Sequence, residues 1–147
     1  MRQKTIIALS ICLLTGLLLS ACEVLHCNCY CSSYEAEELT LNDTVALGYS
    51  ELYCNSKNEF RLSFDSISDS RCPIGVECIW EGNARVMFHL QQSGHDPSTF
   101  WLNTNDSFLT DTTVNGLRFE LLDILPYPEA GRDYQLEDYI VQLIITD

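Results

Sequence analysis

Positive charge is scarce in this sequence. It has 8 Lys and Arg residues against 21 Asp and Glu residues, which gives a formal net charge of −13. A nucleic-acid-binding surface needs clustered basic side chains that neutralise phosphates. The same shortage removes the attraction to anionic lipid headgroups that polybasic segments provide. We therefore predict that nucleic acid is not a partner, and we interpret the acid excess as a contribution to solubility.

Signatures of catalysis are also missing. The sequence contains no Gly-x-Ser-x-Gly elbow, no His-Glu-x-x-His pair and no phosphate-binding loop. The three histidines are separate from one another: His26 precedes a cysteine run, His89 lies on the outer face of a predicted strand, and His95 lies in a turn. We therefore predict a protein that is not an enzyme and that has no cofactor.

The N-terminus has the composition of an export signal. Arg2 and Lys4 are followed by an apolar stretch at 6–19, which is short for a membrane span. The next residues, Leu19-Ser-Ala-Cys22, resemble the lipobox of bacterial lipoproteins, in which the cysteine is lipidated and becomes the first mature residue. The alternatives are an ordinary signal peptide and a membrane span that ends in cysteine. We predict that residues 1–21 are a lipoprotein signal peptide and that Cys22 is the lipid attachment site.

This prediction sets the location of the mature protein. Several acyl chains on Cys22 would hold it stably to a membrane, outside the cytoplasm. Residue 23 is Glu and not the Asp that resembles the inner-membrane retention signal of some Gram-negative bacteria, so the outer membrane is favoured. The formal charge of −13 becomes −15 once Arg2 and Lys4 are removed with residues 1–21.

The rest of the chain has the alternation of apolar and polar residues that is typical of β-strands. Examples are Phe60, Leu62 and Phe64. No mature stretch has a convincing helical period over 11 residues. We predict an all-β domain at 36–147, an antiparallel β-sandwich or partly open barrel of about seven or eight strands. The last strand, at 139–145, is apolar on both faces and is therefore expected at the centre of a sheet.

Six cysteines remain after Cys12 in the signal and Cys22, and export favours their oxidation. Cys72 and Cys78 are the best predicted pair, because Pro73 and Gly75 let the chain double back between them. Trp80 follows two residues after Cys78. We predict that its indole packs on the disulfide and anchors the core.

The other cysteines lie in a predicted tether at 22–35, apart from Cys54. Cys27, Cys29 and Cys31 would point to one side of an extended chain, too far apart to bridge their neighbours easily. One of them can pair with Cys54. Together with His26 they also offer three soft ligands and an imidazole, which suits Cu(I) or Zn(II). Mixed disulfides, a metal site and a solvated cysteine-rich tether therefore remain as alternatives.

Two segments carry patterns more specific than the alternation of strands. The first is Ser70-Arg-Cys-Pro-x-x-Val-x-Cys-Ile-Trp-x-Gly-x-Ala84, which is the more specific of the two. The second is Asn115-Gly-Leu-Arg-Phe-x-Leu-x-x-x-x-Pro-Tyr-Pro128, followed by the closing strand at 139–143. Both resemble a family of small exported or lipid-anchored bacterial β proteins without assigned activity. The resemblance implies a shared fold over 38–146 and no particular chemistry.

Three functions follow as hypotheses. The leading one is a lipid-anchored cell-envelope module that binds a protein or glycan of the envelope, or has a structural role there. The second is a metal-handling lipoprotein that uses Cys27, Cys29 and Cys31. The third is an inhibitor of a hydrolase.

Overall fold

The computed structural model describes Cys31 and residues 36–147. Nine strands are found in this part of the chain, with a short 3₁₀ helix at Leu136–Asp138. The strands are β1 Ala36–Glu38, β2 Thr44–Gly48, β3 Leu52–Asn55, β4 Phe60–Asp69, β5 Ala84–Gln92, β6 Ser98–Asn103, β7 Asp111–Val114, β8 Leu117–Leu125 and β9 Ile140–Thr146.

The strands form two sheets that do not close into a barrel. One sheet has the order β1-β3-β4-β5-β6, and its strands are antiparallel except that β1 runs parallel to β3. The other has the order β2-β9-β8-β7 and is antiparallel throughout. The predicted all-β sandwich architecture is confirmed, and the partly open barrel is not formed. Short edge strands account for the larger number of strands.

The core lies between the two sheets and is formed by every second residue along the strands. Phe60, Leu62 and Phe64 on β4 are buried. The residues between them are partly or fully exposed. Burying one face of each sheet stabilises the fold by removing apolar surface from water. The period of two in the sequence therefore identifies the core correctly.

The last strand has the central position that its composition predicts. β9 lies between β2 and β8, and Val141, Leu143 and Ile145 are buried. Leu39 lies between β1 and β2 and is not part of a strand. It is nevertheless buried, and its N–H donates to the carbonyl of Cys54 over 2.7 Å.

Within the described residues, no helix is long and apolar enough to cross a bilayer. The predicted signal peptide, Cys22 and most of the predicted tether lie outside the described residues.

The sandwich has two distinct ends. The corner end is where β4 finishes at Asp69 and β5 begins at Ala84. The opposite end carries the loops at 56–59, 93–97 and 115–116.

Candidate functional site

The stretch 70–83 forms a protruding corner between β4 and β5. Its two arms continue the pairing of those strands, because the N–H of Ser70 donates to the carbonyl of Asn83 and the N–H of Cys72 to that of Glu81, both over 2.8 Å. Beyond these bonds the chain loops back, and Cys72 is bonded to Cys78 with their Cα atoms 5.9 Å apart. The structure thus forms the disulfide that the sequence predicts, and the loop at the tip of the corner is closed covalently.

Gly82 allows the two arms to approach each other. Its φ is +80°, in the left-handed region that side chains other than glycine rarely adopt. A Cβ atom at this position would lie 2.7 Å from the Cα of Arg71, and closer still to the carbonyl oxygen of Ser70. The close contact between the arms therefore requires a residue without a side chain.

A buried ion pair holds the base of the corner. The side chains of Arg71 and Asp69 are 4% and 7% exposed, and Nη2 of Arg71 lies 2.6 Å from Oδ2 of Asp69. Nε of Arg71 donates to Oδ1 of Asp69 over 3.0 Å, so the contact is bidentate. A charged pair at this depth needs such complete geometry, because neither group has water to solvate it.

The same arginine connects the corner to the second sheet. Nη2 of Arg71 donates to the carbonyl of Pro126 over 3.1 Å, and Nη1 lies 3.5 Å from Oδ1 of Asp123. The guanidinium also lies over the ring of Tyr127, at 4.7 Å from its centroid. Asp123 is on β8 and Pro126 follows it, so Arg71 fixes the corner against the facing layer of the sandwich.

Tyr139 lies beside the buried ion pair of Arg71 and Asp69. Its hydroxyl lies 3.5 Å from Oδ2 of Asp69. Burial raises the pKa of Tyr139, and the negative charge of Asp69 raises it further. The neutral phenol is therefore the stable form beside the buried carboxylate.

The loop between β6 and β7 is tied to the corner by an amide. Nδ2 of the buried Asn105 donates to Oε1 of Glu81 over 2.8 Å and to the carbonyl of Gly82 over 2.9 Å. Its own N–H donates to Oδ1 of Asn83 over 3.2 Å. Glu81 lies between Arg71 and Arg85 in the sequence, and the expectation that it pairs with one of them is wrong because its carboxylate accepts from Asn105 instead.

The prediction for Trp80 is also wrong. Trp80 is 60% exposed and is not part of the core. The prediction assumed a regular strand from Cys78 onwards, but β5 begins only at Ala84, so the alternation of faces does not extend back to Trp80. The largest fully buried side chains are instead those of four phenylalanines on three strands: Phe60, Phe64, Phe88 and Phe119.

Trp80 belongs to a group of apolar side chains that face solvent at the corner. Four of them lie on the corner itself and two on the loop after β6, and we call these six residues the corner surface: Ile74, Val76, Ile79, Trp80, Phe108 and Leu109. Ile79 is fully exposed. Trp80 and Phe108 line the same shallow cleft of about 300 Å³, which joins the two parts of the surface.

The remaining exposed large apolar residues of the described chain lie at the same end. Leu122, Tyr127 and Ile140 are on or next to the part of β8 and β9 that Arg71 contacts. Exposed apolar residues are normal when scattered, whereas a cluster is typical of an interaction site. The concentration at one end is therefore the observation that identifies a candidate site.

Acidic side chains outnumber basic ones around the corner surface. Glu77, Glu81 and Asp106 are exposed acids on the corner and on the loop after β6. Arg85 lies beside Trp80 and Phe108, and its guanidinium is 4.6 Å from the centroid of Trp101. The border of the surface is thus mainly acidic.

A second cleft of about 420 Å³ adjoins the corner. Its walls include Arg71, Glu81, Asn105, Asp123 and Tyr127. The polar groups of Glu81 and Asn105 hydrogen-bond each other, and Arg71 is held by carboxylates. These contacts stabilise the loops that present the corner surface.

One of the three cysteines of the predicted tether forms a disulfide with the domain. Cys31 is bonded to Cys54 on β3, with their Cα atoms 5.5 Å apart. A sulfur in a disulfide has no thiolate to offer, so the predicted site of three thiolates is not formed in this state. Among the described residues there is no group of three or more residues suited to hold a metal. Cys27, Cys29 and His26 lie outside the described residues.

The two described histidines are on the surface, as expected. Nε2 of His89 lies 2.8 Å from Oδ2 of Asp65, and both side chains are about half exposed. His95 is exposed in the loop before β6, with Nδ1 3.1 Å from the carbonyl oxygen of Ser93. Neither histidine contacts the corner.

Sequence reasoning missed Asp69, Arg71 and Asn105 as the residues that hold the corner. Arg71 was part of the motif quoted above, but its type alone predicts an exposed residue. Asn105 lay in a polar loop without any periodic signal. Comparison of the chain with protein-family models, curated proteins and solved structures finds no match.

Proposed function

We propose that this protein is a lipid-anchored module of the cell envelope that binds another molecule through the corner surface and does not catalyse a reaction. The observation that carries the proposal is the concentration of exposed apolar residues at one end of an otherwise acidic and polar domain. Exposing them costs solubility, and a disulfide and a buried ion pair hold them in place. Such a cost is expected where a partner covers the surface.

The location of the protein is part of the proposal. Two disulfides are compatible with an extracytoplasmic compartment, where thiols are oxidised. The lipobox-like Leu19-Ser-Ala-Cys22 supports attachment of lipid at Cys22, and Glu23 favours the outer membrane. The membrane is thus a partner through the lipid.

Cell fractionation tests the anchor. The wild-type protein is expected in the membrane fraction with a mass that includes acyl chains on Cys22, and the Cys22→Ser variant is expected to lose both. An unacylated wild-type protein, or a membrane-bound Cys22→Ser variant, would contradict the anchor.

Photo-crosslinking tests the binding surface. A photoreactive amino acid at position 79 is expected to give a discrete adduct in intact cells. The same amino acid at position 95, which is exposed at the opposite end, serves as the control. Equal adduct yields at the two positions, or no adduct at position 79, would rule out the corner surface as the binding site.

Inhibition of a hydrolase is a second candidate, and one observation favours it. The loop of Cys72–Cys78 is covalently closed and presents Ile74 and Val76 to solvent. A pre-organised loop loses little conformational entropy when it enters a cleft. An adduct at position 79 with an enzyme, and loss of that enzyme's activity on titration with the protein, would identify this function.

The metal hypothesis remains a proposal only for the cysteines before Cys31. Elemental analysis of protein purified from the envelope tests it. Metal retained by the wild type and lost in a Cys27→Ser/Cys29→Ser variant would support it, and oxidised cysteines without metal would end it.

A further inference from the structure

We infer that the partner is a protein with an apolar pocket bordered by basic residues, and that it docks from the side facing away from the membrane that carries the lipid. This inference rests on the proposed function. It adds the chemical class of the partner and the direction of approach.

The side chains of the corner surface indicate a protein and not a glycan. Ile74, Val76 and Ile79 are aliphatic and have no polar atom with which to bind a hydroxyl group. Their burial is favourable only against other apolar groups, and Ile79 projects fully into solvent. An apolar pocket on a protein surface provides those groups at the centre of an interface.

The acids around the corner surface indicate the charge of the partner. Glu77 and Asp106 are exposed on the two segments that carry the surface. The whole chain has a formal net charge of −13, so its long-range field repels acidic molecules and attracts basic ones. Charges at the edge of an interface act mainly on partner choice and association rate. A basic border on the partner therefore fits this surface.

The Cys31–Cys54 disulfide determines which end lies near the membrane. Cys54 is paired with Arg61 near the start of β4, at the end opposite the corner. Cys72 lies 11 residues beyond Arg61 along the same strand and its extension. At about 3.3 Å per residue this separation is roughly 36 Å along the strand.

The predicted tether is too short for the domain to stand upright with its corner on the bilayer. Cys31 lies nine positions after Cys22 in the sequence. A chain of that length spans at most about 30–32 Å when fully extended and typically about 15–18 Å. Without the disulfide the tether would run 14 residues to Ala36, with a maximum reach of about 46–50 Å. The disulfide therefore excludes an upright orientation with the corner surface on the lipid, because Cys31 would then lie roughly 36 Å above the bilayer, beyond the reach of the tether.

The end nearest the tether suits a position beside headgroups. Its loops expose polar residues such as Asp43, Lys57 and His95. None of the large exposed apolar residues of the described chain lies there. The described residues of this end thus offer no large apolar side chain to a bilayer, whereas the corner end exposes several.

Charge reversal tests the chemistry of the partner. In cells that carry the photoreactive amino acid at position 79, the Glu77→Lys/Asp106→Lys variant is expected to lose at least tenfold in protein adduct. The matched control, Glu38→Lys/Asp96→Lys, makes the same change in net charge at exposed positions remote from the corner. It is expected to keep its adduct within twofold.

Three results would overturn this part of the inference. They are an adduct with a glycan and no protein, an adduct that survives reversal at 77 and 106, and an equal loss in the two variants. In each case an adduct confined to position 79 and the membrane attachment of Cys22 would still stand. Failure of the partner class is thus distinguishable from failure of the proposed function.

Energy transfer to the bilayer tests the direction of approach. Purified full-length lipoprotein in phosphatidylethanolamine–phosphatidylglycerol vesicles carries an encoded fluorescent amino acid at position 79 or 95, with an acceptor dye on the lipid. Transfer is expected to be at least twofold weaker from position 79. In the Cys31→Ser/Cys54→Ser variant, which has the longer tether, the difference in energy transfer between positions 79 and 95 is expected to be smaller. Equal or stronger transfer from position 79 in the oxidised protein would overturn the orientation.

Discussion

At the scale of single residues, Arg71 is the most consequential side chain outside the apolar core. It contacts Asp69, Asp123, the carbonyl of Pro126 and the ring of Tyr127, and so joins the base of the corner to the facing sheet. Replacing it would leave the carboxylate of Asp69 buried with few remaining donors. Breaking a buried pair on one side costs more than removing both partners, because an unpaired charge stays in a poorly solvated place.

We therefore expect Arg71→Met to lower the free energy of unfolding by about 3–5 kcal/mol. The double variant Asp69→Asn/Arg71→Met should lose less than the sum of the two single variants. Urea unfolding of the three variants measures this coupling. A loss below about 1 kcal/mol for Arg71→Met would mean that the pair is not buried in solution.

Tyr53 gives the protein a specific dependence on alkaline pH. Its hydroxyl accepts from the N–H of Gly48 over 2.8 Å and donates to the carboxylate of Glu51. Burial, and then the hydrogen bond to Glu51, raises the pKa of Tyr53 to about 12. The folded state thus retains this proton at a pH where the unfolded chain, with a tyrosine pKa of about 10, has lost it.

The stability that Tyr53 contributes in this way is complete below pH of about 10 and is lost as the pH rises through about 12. Tyr139 acts in the same direction, because its pKa is also raised. We expect urea unfolding midpoints to fall between pH 10 and 12, and to fall less steeply in Tyr53→Phe. That variant should also lose about 1 kcal/mol at pH 7, where the hydrogen bond to Gly48 is missing. Identical slopes for the two proteins would contradict the raised pKa.

At the scale of elements, the corner is an extension of the β4–β5 hairpin that depends on one glycine. The arms at Ser70–Asn83 and Cys72–Glu81 are hydrogen-bonded, and Gly82 lies against the backbone of the opposite arm. The disulfide closes the tip of the corner. Gly82 permits the hydrogen-bonded pairing of the arms that brings Cys72 and Cys78 together. A side chain at 82 would separate the arms and displace Asn105 from its contact with the carbonyl of Gly82.

We expect Gly82→Ala to cost several kcal/mol, because the left-handed φ and the overlap with Arg71 both act against it. Gly94→Ala is the matched control. Gly94 has a similar φ of +75°, but a Cβ atom there would meet nothing within 4 Å. Its cost should be only about 1–2 kcal/mol. Thermal unfolding of the two variants separates the cost of the left-handed φ from the cost of the overlap with the opposite arm. Equal losses of stability would mean that the two arms do not approach each other closely.

At the scale of the whole molecule, the two ends of the sandwich are opposite in character. The corner end exposes apolar side chains, and the other end exposes polar loops and carries the Cys31–Cys54 disulfide. The two ends of this small domain therefore suit different surroundings. The domain can hold one end toward an anchor and offer the other end to a partner.

The Cys31–Cys54 disulfide closes a loop of sequence separation 23 and should also stabilise the domain. In the chain-entropy description the contribution is about 3 kcal/mol, against about 2 kcal/mol for the shorter Cys72–Cys78 loop. Guanidinium unfolding of Cys31→Ser/Cys54→Ser and of Cys72→Ser/Cys78→Ser measures both. A larger loss for the second pair would show that the short disulfide supports packing beyond its tip.

The sequence by itself determined the local order of this protein. Alternation such as Phe60, Leu62 and Phe64 predicted strands and their buried faces correctly, because a strand places every second side chain on the same side. The Cys72–Cys78 pair was predictable for a similar reason, since six residues containing Pro and Gly return close to their starting point. These features depend on neighbours along the chain.

Only the tertiary structure decided the features that join distant segments. Trp80 was expected inside and is outside, because it lies on the corner before β5 begins at Ala84, where the alternation of faces does not apply. Nothing local distinguishes Arg71 from an exposed arginine until Asp69, Asp123 and Pro126 surround it. The gathering of exposed apolar residues at one end has the same origin. Ile79, Phe108 and Tyr127 are far apart in sequence, and only the pairing of strands brings their turns to the same end of the sheets.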